Sequence, residues 1–241
     1  KEIINSKILP EGSLQLIPGL GRGILDYVDH RDVVTFTGSA STGKLLKSHT
    51  NILEHSVPFN MEADSLNACV LGEDVKSDSD EFKLFIKEVY REITVKTGQK
   101  CTAVRRILVP EKMVDEVQKQ LIAKLEETVI GNPDNKMVRM GALASKVQVE
   151  RVKENVDLLM NIQEKVYGDY DDFSILDANK EKGAFFPPIL FRNNEPFLRD
   201  EVHNVEAFGP VSTLIPYKNM DEAIELVELG RGSLVTSYIS N

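Results

Sequence analysis

The chain has 241 residues, 41% of them apolar and 28% charged, with a formal net charge of -9. That length holds one large domain or two modest ones, and the apolar share supports a packed core, which excludes a disordered chain. The acidic balance disfavours nucleic acid and anionic membrane surfaces, so no nucleic acid and no membrane partner are expected. Two cysteines, Cys69 and Cys101, are too few for a disulfide framework and suit a reducing, cytoplasmic setting. The chain opens at Lys1 without a Met and stops at Asn241 after an apolar run, and it reads as part of a longer protein.

Apolar runs of strand length alternate with helical patterns along the chain. Residues 1–9 carry Ile3, Ile4 and Ile8 at helical spacing and end at Pro10–Gly12. A short strand is expected at Leu14–Ile17. A buried strand at Val33–Phe36 runs into Thr37-Gly38-Ser39, and a helix opens near Ser41. The stretch 55–66 breaks the alternation at Pro58 and marks a joint, dividing the chain into 1–62 and 63–241. A strand at Asn67–Leu71 follows. The helix from Asp80 to about Thr97 places Phe82, Phe85, Ile86 and Val89 on one face. Next come a strand at Arg105–Val109, ended by Pro110, and a helix marked by Val114, Val117, Leu121 and Leu125. Val149, Val152, Val156 and Leu159 predict another helix over 146–160. Residues 168–183 are acidic and turn-rich, a surface loop. Strands at Phe185–Phe191, Val211–Tyr217 and Leu234–Ile239, and a helix over about 220–229, complete the series. This βαβα alternation predicts an α/β fold with a largely parallel sheet.

Four short motifs could carry chemistry. Phe36-Thr37-Gly38-Ser39-Ala40-Ser41-Thr42-Gly43 follows a strand and opens a helix. Its glycines allow close backbone approach, and a helix N-terminus favours phosphate; the same residues equally describe a capped strand-to-helix turn. Gly98-Gln99-Lys100-Cys101 joins a long helix to a strand. Lys100, Arg105 and Arg106 flank Cys101, and their charge would favour a thiolate. Cys69, among Ala68, Val70 and Leu71, reads instead as a small core residue. Met61-Glu62-Ala63-Asp64 sets two carboxylates beside the joint, where acidic residues are ordinarily just solvated. Glu206-Ala207-Phe208-Gly209-Pro210-Val211 is a turn before a strand. His30, His49, His55 and His203 show no metal-ligand spacing, so no metal is expected.

Taken in this order, the four motifs resemble the aldehyde dehydrogenase superfamily over essentially the whole chain. Phe36-Thr37-Gly38-Ser39 resembles that family's pyrophosphate-binding turn. Gly98-Gln99-Lys100-Cys101 is similar to its Gly-Gln-x-Cys nucleophile motif, the most specific of the set. Glu206-Ala207-Phe208-Gly209-Pro210-Val211 resembles its Glu-x-Phe-Gly-Pro-Val segment. Gly141-Ala142-Leu143 and Gly183-Ala184-Phe185-Phe186-Pro187-Pro188 match weaker landmarks. One departure stands out. Most members follow the catalytic Glu with glycines, as Glu-Leu-Gly-Gly, whereas here the text is Glu62-Ala63-Asp64-Ser65-Leu66-Asn67. That wording, with Gly72-Glu73-Asp74-Val75 after it, resembles the dehydrogenase half of the bifunctional phenylacetate-degradation proteins.

The resemblance implies part of a Rossmann-type cofactor domain followed by a parallel-sheet catalytic domain. It implies oxidation of an aldehyde, a CoA-linked semialdehyde of aromatic catabolism, to the acid, with NADP as cofactor or NAD in its place. Cys101 would be the nucleophile and Glu62 the base. Gly38, Ser39, Gly43, Glu206 and Phe208 would contact the cofactor. The parent would be a homo-oligomer with a fused hydratase-like domain, and the 241 residues alone would be inactive. Another aldehyde dehydrogenase, a CoA-acylating one, or an inactive nucleotide-binding piece remain as alternatives.

Overall fold

The computed structural model describes residues 2–19, 21, 23–231 and 233–241. Lys1, the start of the expected helix over 1–9, lies outside them, as does the side chain of Ile4. The chain divides into two compact units, Lys1–Asp64 and Ser65–Asn241.

In the first unit a short helix α1 (Glu2–Ser6) stops where Lys7 takes a positive φ of 51°. The strand expected at Leu14–Ile17 is not formed. Leu14, Leu16 and Ile17 are exposed, and no ladder reaches them among the described residues. A four-residue segment with three apolar side chains becomes a strand only when another strand pairs with it. Strand β1 (Val34–Gly38) leads into helix α2 (Ala40–Lys47), then α3 (Thr50–Glu54) and strand β2 (Phe59–Ala63). β2 pairs in parallel with β1, from Val34 opposite Phe59 to Gly38 opposite Ala63. The stretch read as a joint therefore contains a strand. Pro58 sits just before it, where a missing N–H removes no ladder bond, and its carbonyl accepts from Val34 N at 2.9 Å. Leu25, Ile52 and Val57 form the small core of this unit.

The second unit is built on a six-stranded sheet. Its members are β3 (Ala68–Leu71), β4 (Arg106–Pro110), β5 (Glu164–Tyr167), β6 (Ile189–Arg192), β7 (Val211–Tyr217) and β8 (Thr236–Ile239). The order is β5-β6-β7-β4-β3-β8, parallel throughout except for β5, which runs against β6. Helices α4 (Asp80–Thr94), α5 (Val114–Glu126), α6 (Lys146–Met160), α7 (Glu201–Asn204) and α8 (Met220–Glu228) connect the strands.

Side chains of the central strands alternate between two apolar layers, as a sheet covered on both faces requires. Cys69, Leu71, Ile107, Val109 and Leu214 face Phe85, Val89, Val117 and Leu121 of α4 and α5. Ala68, Val70, Leu108, Ile215 and Tyr217 face Ala223 and Leu226 of α8. A third cluster packs Val152, Val156 and Leu159 of α6 on Ile189, Phe191 and Val211. Each such aliphatic or aromatic side chain contributes about 1.5–3 kcal/mol on burial. The strand expected at Phe185–Phe191 starts only at Ile189, because Pro187 and Pro188 have no N–H to donate. The helix expected to reach Thr97 ends at Thr94, and Lys96 and Thr97 adopt positive φ of 52° and 55°.

Candidate active site

In the second unit, the connections leading into β3, β4 and β7 converge at the N-terminal edge of the sheet. The left-handed pair Lys96 and Thr97 turns the chain out of α4 into Gly98-Gln99-Lys100-Cys101. Gly98 has φ +67°, and a Cβ there would lie 2.2 Å from the Gly209 carbonyl oxygen, so only glycine fits. Gln99 Nε2 donates to the Phe208 carbonyl at 3.2 Å, and its Oε1 accepts from Ala144 N at 2.8 Å. Thr97 Oγ1 donates to the Gly141 carbonyl at 3.1 Å, and Leu143 N to that of Ala184 at 2.8 Å. The four segments that carry the family resemblance in this unit are thus hydrogen-bonded into one cluster.

Arg105 ties that cluster together. It is buried, and donates from Nη2 to the Gly98 carbonyl at 2.7 Å and from Nη1 to the Gly209 carbonyl at 2.6 Å. Its Nε reaches Glu206 Oε1 at 3.5 Å, and the guanidinium lies 5.5 Å from the centre of the Phe208 ring. Burial works against the Arg105 charge and Glu206 works for it, with burial the larger effect. Glu206 Oε2 also accepts from Ser65 N at 3.2 Å, and the Glu206 carbonyl accepts from Asn155 Nδ2 at 2.8 Å.

Cys101 is exposed, whereas Cys69 on β3 is buried. Burial, helped by the charges of Glu88 and Glu92, pushes the Cys69 thiol up to about 12. The cations flanking Cys101 in the sequence each hold other partners. Lys100 Nζ pairs with Glu92 at 2.6 Å. Arg105 forms the strap just described. Arg106 is 1% exposed and donates to the carbonyls of Leu66, Leu226 and Val227 and to His203 Nδ1. Neighbours in sequence on an extended strand point to opposite faces, so adjacent charges need not share a site.

Asn67, which the sequence marked only as the start of a strand, anchors the turn that carries Cys101. Its Nδ2 donates to the carbonyls of Cys101 at 2.8 Å and Ala103 at 3.0 Å. Its Oδ1 accepts from Ser65 Oγ at 2.6 Å and Val235 N at 2.9 Å. Its own carbonyl accepts from the N–H groups of Arg105 and Arg106. The unusual Asp64-Ser65 wording also has a local explanation. Asp64 takes φ 35° at the place where most members carry a glycine, a conformation Asp tolerates better than most residues.

In the first unit, Gly38, Ser39 and Glu62 share the C-terminal end of the two-strand ladder, with Thr37 opposite Glu62. Ser39 caps α2: its Oγ accepts from Thr42 N at 3.3 Å and donates to Thr42 Oγ1 at 2.8 Å. Gly43 is buried, and a Cβ there would lie 2.3 Å from Met61 Sδ, so this glycine lets α2 pack closely on the strands. Glu62 is exposed. Strand C-termini that feed a helix N-terminus are the usual place for a phosphate-bearing ligand in α/β sheets.

Known proteins fit this arrangement. A sequence profile of the aldehyde dehydrogenase family matches residues 1–239. A 3,4-dehydroadipyl-CoA semialdehyde dehydrogenase from Aromatoleum evansii is 41% identical over 239 residues, covering 99% of this chain and 46% of that protein. A probable betaine aldehyde dehydrogenase from Schizosaccharomyces pombe is 30% identical, over 95% of this chain and 44% of its own length. The chain therefore spans about half the length of these relatives. Among solved structures, betaine aldehyde dehydrogenase from Staphylococcus aureus in complex with NAD+ shares the fold. Its TM-score is 0.84 at 24% identity, over 100% of this chain and 46% of that one. By the family profile over nearly its whole length, the chain belongs to the aldehyde dehydrogenase family.

Proposed function

We propose that this chain supplies the nucleophile, the hydrolytic base and cofactor contacts of an NAD(P)-dependent dehydrogenase that oxidises a CoA-linked semialdehyde to its acid. The observation that carries this reading is the exposed Cys101 on a turn that Arg105 and Gln99 bind to the Glu206–Gly209 segment. The 41% identity to a CoA-semialdehyde dehydrogenase supports the substrate class. In this reading, residues 1–62 belong to a cofactor-binding domain and 63–241 to a catalytic domain.

The Cys101 thiolate adds to the aldehyde carbon, and the resulting alkoxide is stabilised by hydrogen-bond donors. A bound nicotinamide cofactor, NADP in preference to NAD, supplies the hydride acceptor that turns this adduct into a thioester. Glu62 takes a proton from water, which attacks the thioester and frees Cys101. A CoA thiol would need little help to attack, so the Glu62 carboxylate favours hydrolysis over acyl transfer to CoA. The residues present suit the cofactor. Gly38 and Ser39 open α2 with N–H groups that favour a pyrophosphate. Glu206, fixed by Arg105 and Ser65, is an acceptor for ribose hydroxyls, and Phe208 offers a flat apolar side.

Steady-state kinetics of the gene product that contains this chain test the proposal. Turnover of a CoA-linked semialdehyde is compared with the same semialdehyde without CoA, using NADP or NAD. The expected kcat/KM for the CoA-linked substrate is higher by about tenfold or more, and Cys101→Ala removes turnover. Equal use of both aldehydes would overturn the substrate class. An active Cys101→Ala variant would overturn the nucleophile.

A further inference from the structure

We infer that Asn67 is a positioning residue for the nucleophile turn, fixing the Cys101 and Ala103 carbonyls and through them the presentation of Cys101. The inference rests on the reading of Cys101 as nucleophile. Asn67 is 1% exposed, and both ends of its amide are committed. Oδ1 accepts two donors, Ser65 Oγ–H and Val235 N–H, so the amide has one orientation and Nδ2 must face the carbonyls. Nδ2 then holds Cys101 O and Ala103 O, at 2.8 and 3.0 Å, thirty-four and thirty-six residues along the chain. The same Ser65 hydroxyl accepts from Leu234 N at 3.2 Å, so the Oδ1 side belongs to the fastening of the chain before β8. The Nδ2 side belongs to the nucleophile turn. A buried amide without partners is costly, and here two such donors are spent on the one turn that carries the exposed thiol.

The two sides can be separated by substitution. Asn67→Asp keeps the acceptor for Ser65 and Val235 but loses both donors and sets an oxygen against the two carbonyls. Asn67→Ala removes the donors without adding charge, and serves if the Asp variant does not fold. Ser65→Ala removes one of the two donors on the fastening side and leaves both Nδ2 bonds in place. In the gene product containing this chain, three quantities are read: the rate of Cys101 alkylation by iodoacetamide without substrate, kcat, and the NADP dissociation constant. Misplacement of a reacting group by about 1 Å costs on the order of a hundredfold in rate, so the Asn67 variants should lose about 10- to 100-fold in kcat. Their Cys101 alkylation rate should change markedly and their NADP affinity should stay within about twofold, whereas Ser65→Ala, which keeps the Ser65 N–H and both Nδ2 bonds, should lose clearly less kcat than either Asn67 variant. Alkylation and kcat within about threefold of the parent in both Asn67 variants would overturn the inference. So would an equal loss in Ser65→Ala, which would mean general loosening. Full turnover by Cys101→Ala would remove its foundation instead, and the alkylation rates, read without substrate, keep the two failures apart.

Discussion

At the scale of single residues, the two cysteines show how environment sets reactivity. Cys69 lies between β4 and β8, its thiol held protonated by burial, while Cys101 is open to solvent. Iodoacetamide at neutral pH should therefore label Cys101 faster by roughly tenfold or more, read by peptide mapping after a brief pulse. Preferential labelling of Cys69 would contradict the assignment. His203 makes a second expectation. Its Nε2 must donate to the Pro196 carbonyl at 2.9 Å, because a carbonyl only accepts, which leaves Nδ1 to accept from Arg106 at 3.1 Å. The ring is thus neutral, and burial, with the Arg106 charge adding to it, holds its pKa below the ordinary 6.5. The unfolded chain binds the proton more readily, so stability is full above about pH 6.5 and falls as the pH drops below it. Thermal melts between neutral and mildly acidic pH should show this slope, and His203→Gln should flatten it. An unchanged slope in the variant would assign the effect to other groups. The contrast between the cysteines was legible from their neighbours in sequence. The work of Arg105, Arg106 and Asn67 was not, because their partners lie between 34 and 168 residues away, apart from the Gly98 carbonyl that Arg105 holds and the Ser65 hydroxyl on Asn67.

Among the elements, the Arg105 strap joins the turn before β4 to the turn before β7. Arg105 and Glu206 are nearly inaccessible, with side chains 3% and 9% exposed, so removing one leaves the other buried and less well paired. Arg105→Met should cost about 3–5 kcal/mol in denaturant unfolding, and adding Glu206→Gln should cost less than the sum of the two single changes. Strict additivity would mean that the pair does not act as a unit. Helices α4, α5, α6 and α8 and strand β7 stood out in the sequence because each buries a face at a clean helical or strand period. β2 and β5 did not. β2 follows Pro58 and leaves Asn60, Met61 and Glu62 exposed, and β5 is an edge strand beginning Glu164-Lys165. Such strands are held by ladder partners, and their own side chains give little pattern. The exposed run Leu14–Ile17 is the converse case, with apolar content but no ladder.

On the scale of the molecule, the proposed function assigns different parts of the chemistry to the two units. The first presents Gly38, Ser39 and Glu62 at the end of a parallel strand pair, and the second presents Cys101, Glu206 and Phe208 at the entrance of a parallel sheet. The division falls just after Glu62, at Asp64 and Ser65. In the proposed function, formation of a thioester needs Cys101 and a hydride acceptor, whereas its hydrolysis also needs a base, and this separates the roles proposed for Cys101 and Glu62 experimentally. The decisive measurement is made on the Glu62→Gln variant of the gene product containing this chain. It is mixed rapidly with NADP and a CoA-linked semialdehyde, quenched in acid, digested and mapped by mass spectrometry. A single burst of reduced nicotinamide is expected, with the acyl group recovered on the peptide that carries Cys101. Steady turnover near that of the parent, or an acyl group on any other residue, would contradict the roles given to Glu62 and Cys101.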